Sequence, residues 1–211
     1  VRAIVEIIAA ATLLFGLLNP FLLSIYLGEL VHKMSVGTFA RIVVRAGLIA
    51  TGVFAVFAVS GDAVFTALHV QFPAFLIFGG IVFFIVGLRF VLRGGLELEA
   101  LRGPPEHLSG AVAMPFMIGP GTVSAAVLIG GRLDGGSAVA AVVIAMVSTV
   151  ASLVVLKALH DWVKRRNAVL VDRYMEVVGR ISALYIGTYA VQMILQGVAM
   201  FAEQHQLFVT P

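Results

Sequence analysis

The chain has 211 residues, 61% of them hydrophobic and 12% charged, with a mean hydropathy of +1.08 and a formal net charge of +3. A soluble domain carries about 25% charged residues, so this composition argues against a water-soluble globule and for a chain that resides in a bilayer. No cysteine is present, which removes disulfides, thiolate metal sites and cysteine nucleophiles together. The pI is near 9.6, but the basic residues fall between apolar runs and form no stripe, so nucleic acid is discounted as a partner.

A spanning helix needs about 20 mostly apolar residues. Six runs qualify, at residues 4–30, 42–60, 72–92, 109–130, 137–159 and 177–201. The first is longer than one crossing requires, and Asn19-Pro20 interrupts it. Glu6 at its head and the lack of a small-residue cleavage site predict a retained helix rather than a signal peptide. The second run carries the small residues Gly47, Thr51 and Ala55 on one face, and the third spaces Gly80, Gly87 and Gly94 seven apart. Such spacings let helix backbones approach closely in lipid. The fourth run holds Pro115 and then Gly119-Pro120-Gly121 near its middle. The fifth has Ala141, Ala145, Ser148 and Ser152 on one face, and the sixth has Gly179, Ala183 and Gly187. A second stripe of the sixth run, Ser182, Tyr185, Tyr189, Gln192 and Gln196, either lines a wet cavity or bonds to other helices. Only residues 96–107 and 160–176 read as substantial exposed loops.

With both termini on one side, that side holds Arg2 and Arg132, while the other twelve lysines and arginines lie at or near the loops after runs one, three and five. The positive-inside rule then predicts outward-facing termini. Asn19-Pro20 and Gly119-Pro120-Gly121 stand one hundred residues apart at matched places in the two halves. Three spans per half is an odd number, so the halves must have opposite orientations. The expected fold is therefore an all-α integral membrane protein of six transmembrane helices in two inverted three-helix repeats, residues 1–95 and 109–211, joined by a cytoplasmic linker at 96–108.

A proline in a spanning helix removes one N–H and frees the carbonyl four residues back, here Gly16 and Phe116. Freed groups are tolerated in hydrocarbon only where protein buries them or a polar cavity receives them. After each break the N–H groups of a new half-helix attract a negative group, and the carbonyls before it attract a positive one, by about 0.3–1 kcal/mol when exposed and up to about 2 when partly buried. A small zwitterion satisfies both ends without a charged side chain. The expected binding residues are Asn19, Pro20, Phe21 and Ser24 at the first break; Gly119, Pro120, Gly121, Thr122 and Ser124 at the second; and Tyr185 and Gln192 on the sixth run. No catalytic constellation is legible: the carboxylates and histidines lie near run ends or in loops, and HExxH, Walker and nucleophile-triad patterns are absent from the sequence. The chain is thus not expected to be an enzyme, and no cofactor or metal is implied.

Several motifs together resemble the MarC family, also called the small neutral amino acid transporter family. They are Asn19-Pro20; Arg45-Ala46; Pro73-Ala74-Phe75 with Gly79-Gly80; Met114-Pro115-Phe116-Met117-Ile118-Gly119-Pro120-Gly121-Thr122; and Gly179-Arg180-Ile181 with Ala190-Val191-Gln192. The resemblance covers nearly the whole chain. It implies a six-span protein of a prokaryotic inner membrane, related in fold to the LysE-type exporter superfamily, that carries glycine, alanine or similar small amino acids. Members often follow Asn/Asp-Pro with Ile-Gly and a further proline, whereas Phe21-Leu22-Leu23-Ser24 follows here, which makes the first break bulkier. The expected function is secondary transport of a small neutral amino acid by alternating access, with the lipid bilayer, a zwitterionic substrate and a coupling proton or ion as partners. The alternatives are export of another small metabolite or toxic compound, and a non-transporting membrane assembly protein.

Overall fold

The structure, a computed structural model, describes residues 2–61, 63–67, 69–93, 105–166 and 168–205. The described residues form α1 (Arg2–Leu18), α2 (Pro20–Tyr26), α3 (Gly28–Lys33), α4 (Val36–Ser60), α5 (Ala63–Ala67), α6 (Phe72–Arg93), α7 (Pro105–Val112), a π-helical turn (Ala113–Met117), α8 (Pro120–Arg132), α9 (Gly135–Arg166) and α10 (Ala168–Gln204). Four of these stretches are long and apolar enough to cross a membrane: Arg2–Tyr26, Val36–Ser60, Phe72–Arg89 and Gly135–Arg166. Large apolar side chains such as Leu48, Phe78, Val147 and Val155 stand exposed on them, and Leu184 and Leu195 on α10. In water so much exposed apolar surface would be an association hazard. In a bilayer it is the solvent-facing side of the protein.

Local chemistry sets the helix ends. The Ser35 hydroxyl accepts the Thr38 N–H at 3.3 Å to open α4. Gly61, at φ 54°, closes it by donating its N–H to Phe57 O, a left-handed φ that costs glycine little. Asp134 opens α9, its carboxylate accepting the Ser137 N–H at 3.0 Å. Those bonds stabilise the charged form and hold the carboxyl below its ordinary pKa.

Both breaks fall at the residue before a proline, where the Pro Cδ disfavours the right-handed helical conformation. Asn19 adopts φ 40°, ψ 78°, and Gly119 is extended at φ −123°, ψ 166°. Met114, which precedes Pro115, is likewise extended at φ −125°, ψ 123°. The chain absorbs that third disturbance as the π-helical turn, in which Ile118 N–H reaches back five residues to Ala113 O at 2.8 Å.

Two expectations need correction. Residues 160–166 and 168–176 are helical and not a loop. Helix α9 runs on to Arg166 and α10 begins at Ala168; these residues are polar enough to read as a loop, yet both stretches are helix. The expected linker lies in part outside the described residues, which resume at Pro105. Helix approach also differs in detail. Gly94 lies outside the described residues, the side-chain surroundings of Ala183 are not among those described, and Gly187 has open space around it. Of the expected glycines, Gly80 does sit at a close contact of α6 and α10, and Gly197 forms a second. A Cβ on Gly80 would stand 2.6 Å from Ile194 Cγ1, and one on Gly197 would stand 2.7 Å from Ile77 Cγ1 and 2.9 Å from Pro73 O. Gly47 seats Val150 of α9, and Gly130 of α8 lies against the Ala58 backbone of α4.

The helices pack in a definite set of pairs. Helix α10 lies along α6, and α4 lies along α9. Beside these, α1 packs on α9 and α8 packs on α4, while α2 touches α10 and α8 touches α6. The fully buried core between α1, α4, α8 and α9 holds Leu14, Ala46, Ala50, Phe54, Val123, Ala126, Ala141 and Val142. Small side chains predominate there, as expected where apolar helices associate by close contact rather than by escape from water.

Candidate functional site

The two breaks meet across one cavity. It has a volume of about 90 Å³ and is lined from α1 by Gly16, Leu17 and Leu18, from the first break by Asn19, and from α8 by Gly119, Gly121 and Thr122. Tyr26 and Phe116 add an aromatic wall, their ring centroids 5.5 Å apart, and Leu22, Leu23 and Met117, with Phe83 of α6 and Tyr185, Tyr189 and Met193 of α10, complete the lining. No charged side chain is among these residues.

Each break is partly self-satisfied, which defines what remains for a ligand. At the first, Asn19 N–H donates to Phe15 O at 3.0 Å, and its side-chain Oδ1 accepts the Leu22 N–H at 3.2 Å. Leu23 N–H goes to Asn19 O at 3.0 Å. This is an N-cap, and it commits the amide oxygen. The amide nitrogen is the group Asn19 retains for the cavity. Pro20 has no N–H to give the Gly16 carbonyl, and the cap diverts the Leu22 N–H that would otherwise reach Leu18 O.

At the second break, Thr122 closes the gap. Its hydroxyl accepts Gly119 N–H at 2.9 Å and stands 2.9 Å from both Met117 O and Gly119 O, to which its single proton is shared. Val123 N–H bonds Gly119 O at 2.9 Å. Of the leading donors of α8, Pro120 has none and Gly119 is satisfied by Thr122. The N–H groups of Gly121 and Thr122 are therefore those that the first turn leaves without a helical acceptor. The site thus joins a carbonyl-bearing helix end, α1, to an N–H-bearing helix end, α8.

Of the expected binding residues, Asn19, Gly119, Gly121, Thr122 and Tyr185 line this cavity, whereas Pro20, Phe21, Ser24, Pro120, Ser124 and Gln192 do not. Pro20 and Pro120 act from behind it, as first residues of their helices. Phe21 is exposed, and the Ser24 hydroxyl donates to Phe21 O at 2.7 Å. Ser124 lies on a different, wider cavity. Gln192 and Gln196 are exposed. At 100° per residue, the line Tyr189, Met193, Gly197 winds away from the Tyr185–Gln192–Gln196 line, and it is the former that packs inward: Met193 is buried, as is Gly197. The side chain of Ser182 is not among those described.

Sequence reasoning passed over Tyr26, Phe83, Met117 and Met193, whose apolar character marks them only as membrane residues. It also counted Lys157 only among the cations at or near the loop after the fifth run. Lys157 is 2% exposed and bonded to Asp161, one turn on, at 2.5 Å. The i, i+4 spacing of opposite charges was the available signal.

An all-helical bundle with several bilayer-length apolar helices and a buried polar break in two of its elements defines an integral membrane protein. The chain belongs to the MarC family: the family model for MarC family integral membrane proteins matches residues 4–202. Among curated proteins it is similar to a UPF0056 membrane protein of Aquifex aeolicus, 25% identical over 194 residues, spanning 87% of this chain and 88% of that one. It is also similar to a UPF0056 membrane protein of Pyrococcus horikoshii, 24% identical over 200 residues, spanning 91% and 93%. No solved structure matches the chain.

Proposed function

We infer that the protein is a secondary transporter of a small neutral amino acid, binding it as a zwitterion between the C-terminal end of α1 and the N-terminal end of α8. The observation that carries this reading is the shared cavity, in which helix ends of opposite polarity face a space free of charged side chains. A carboxylate suits the Gly121 and Thr122 N–H groups and an ammonium suits the Gly16–Leu18 carbonyls. A single water occupies about 10–15 Å³ of such space, so about 90 Å³ admits roughly six to nine water-sized groups, enough for glycine, alanine or serine.

The packing supports an inverted repeat. Exchanging the halves turns the α1–α9 contact into α7–α4, the α2–α9 contact into α8–α4 and the α2–α10 contact into α8–α6, and returns α4–α9 and α6–α10 to themselves. Six spans, with the broken α1–α2 and α7–α8 series as first and fourth, complete this architecture. Both termini face outward across a prokaryotic inner membrane, on the distribution of lysine and arginine. The chain performs no covalent chemistry in this reading, and rocking of the halves about the cavity carries the solute across.

Uptake and counterflow in proteoliposomes with labelled glycine, alanine and serine test it. Saturable flux of one of them is expected, and the absence of flux for all three removes the amino acid assignment. The aromatic wall of Tyr26, Phe116, Tyr185 and Tyr189 favours one competitor, export of a small aromatic metabolite, so the panel includes such compounds.

A further inference from the structure

The central cavity is the smaller of two in the same three-helix seam. The other has a volume of about 620 Å³ and is reached from the bundle end that carries the α4–α6 connection. Its lining mixes the apolar Phe65, Phe72 and Met200 with His69, Gln71, Ser124 and Gln204. Polar side chains gathered around so large a recess in an apolar bundle mark a water-filled space. Helices α6, α8 and α10 line both cavities: Phe83, Gly121 and Met193 the central one, Phe72, Ser124 and Met200 the wider one.

Along α6, Gly79 and Gly80 lie between Phe83 of the central cavity and Phe72 of the wider one, and along α10 Ile194 and Gly197 lie between Met193 and Met200; this stretch of the seam is close-packed. A Cβ on Gly79 of α6 would overlap the Pro120 ring of α8, so the ring is seated directly on the helix backbone. In the same layer Gly80 receives Ile194, and Gly197 receives Ile77 and the Pro73 carbonyl. No charged residue belongs to this layer, which is apolar where the spaces on either side are polar-lined.

We propose that the wider cavity is a second solute site, an aqueous vestibule for small, uncharged or zwitterionic polar molecules, and that the Pro120–Gly79 layer is the barrier separating it from the central site. Its neutral donors and acceptors, at Gln71, Ser124 and Gln204, hold a polar solute without selecting for net charge. The proposal rests on the transport reading for its purpose, but its geometry stands on the two cavities and the layer.

Cysteine labelling tests it, because the chain contains no native cysteine. Met193 and Met200 lie seven residues apart on one face of α10, about 10.5 Å along the axis, one in each cavity. Met193→Cys and Met200→Cys are exposed to a membrane-impermeant, polar methanethiosulfonate reagent in sealed vesicles of each orientation. Met200→Cys is expected to react from one side only, and Met193→Cys to react from that side about tenfold more slowly or not at all, since a closed layer must open first. Pro120→Ala, which removes the ring from Gly79, should then expose Met193→Cys to the same side; retained Met200→Cys labelling and a monodisperse gel-filtration peak establish that the variant is folded. Equal labelling of both cysteines from one side overturns the proposal. So does failure of Met200→Cys to label from either side, or a folded Pro120→Ala variant in which Met193→Cys stays protected. The labelling needs no substrate, so a negative flux assay removes the amino acid reading alone, and negative labelling removes the vestibule and its barrier while leaving measured flux in place.

Discussion

The Tyr189 hydroxyl of α10 stands directly over Gly121 of α8, close enough that a Cβ on Gly121 would lie 2.6 Å from the oxygen. The absence of a side chain at Gly121 therefore sets the width of the central cavity where α8 presents its free N–H groups. Gly121→Leu fills this space and should abolish flux, while Gly121→Ala, which the end of the tyrosine side chain can accommodate by shifting, should reduce it. Gel filtration confirms folding in both, and flux in proteoliposomes at wild-type rate for Gly121→Leu would remove the site.

Thr122 accepts one backbone hydrogen bond and donates another inside a buried turn. Thr122→Val keeps the shape and strands the Gly119 N–H, at a cost of about 1–3 kcal/mol. Thr122→Ser keeps the hydroxyl and should recover most of the loss. Thermal unfolding in detergent of the three proteins, compared side by side, gives the order: wild type, then serine, then valine.

Asn19 combines a left-handed backbone with an N-cap bond to Leu22. Asn19→Ala loses the cap and strains the backbone, and should cost about 0.5–2 kcal/mol. Asn19→Gly relieves the strain and should cost only a few tenths. Equal losses in the melting temperatures of the two variants would show that the left-handed cap contributes nothing.

Lys157 is buried against Asp161 within α9, whose carboxylate side is a quarter exposed. Removing one partner is not equivalent to removing the other. Asp161→Ala leaves an ammonium buried without its counter-charge and should cost about 3–5 kcal/mol, whereas the paired replacement Lys157→Met with Asp161→Leu should be far milder. A double-mutant cycle by chemical unfolding in mixed micelles measures the difference.

Asp134 is held below its ordinary pKa by the Ser137 N–H. A depressed folded pKa stabilises the protein above the unfolded value and loses that contribution as pH falls through the folded one. The melting temperature should therefore decline from about pH 4 downward, and Asp134→Asn, which keeps a cap but cannot titrate, should remove that part of the decline.

Much of the architecture was readable from residue types. Apolar runs located the helices because a bilayer demands about 20 residues per crossing, and the Asn19-Pro20 and Gly119-Pro120 pairs located both breaks because a proline constrains the residue before it. The helical state of residues 160–166 and 168–176 was not readable, since charged residues there fit a loop and a helix equally well. The same limit applied to Lys157, whose burial depends on helices remote in sequence.

The candidate site divides the same way. Sequence supplied Asn19, Gly119, Gly121 and Thr122, residues that carry their own local signal of a break. It could not tell that Ser124 faces the wider cavity, because a shift of two residues turns a side chain by about 200°. It also chose Gln192, where Met193 lines the cavity.

By itself, then, the sequence determined the membrane-embedded helical class, the family and the two points where helices must break, all consequences of covalent geometry and of hydropathy summed along the chain. Tertiary structure alone decided that the breaks share one cavity, that Tyr189 and Tyr26 wall it, and that the Pro120 ring sits on Gly79. Those relations depend on the rotation of each helix about its axis and on how closely glycine lets neighbours approach, quantities that only packing sets.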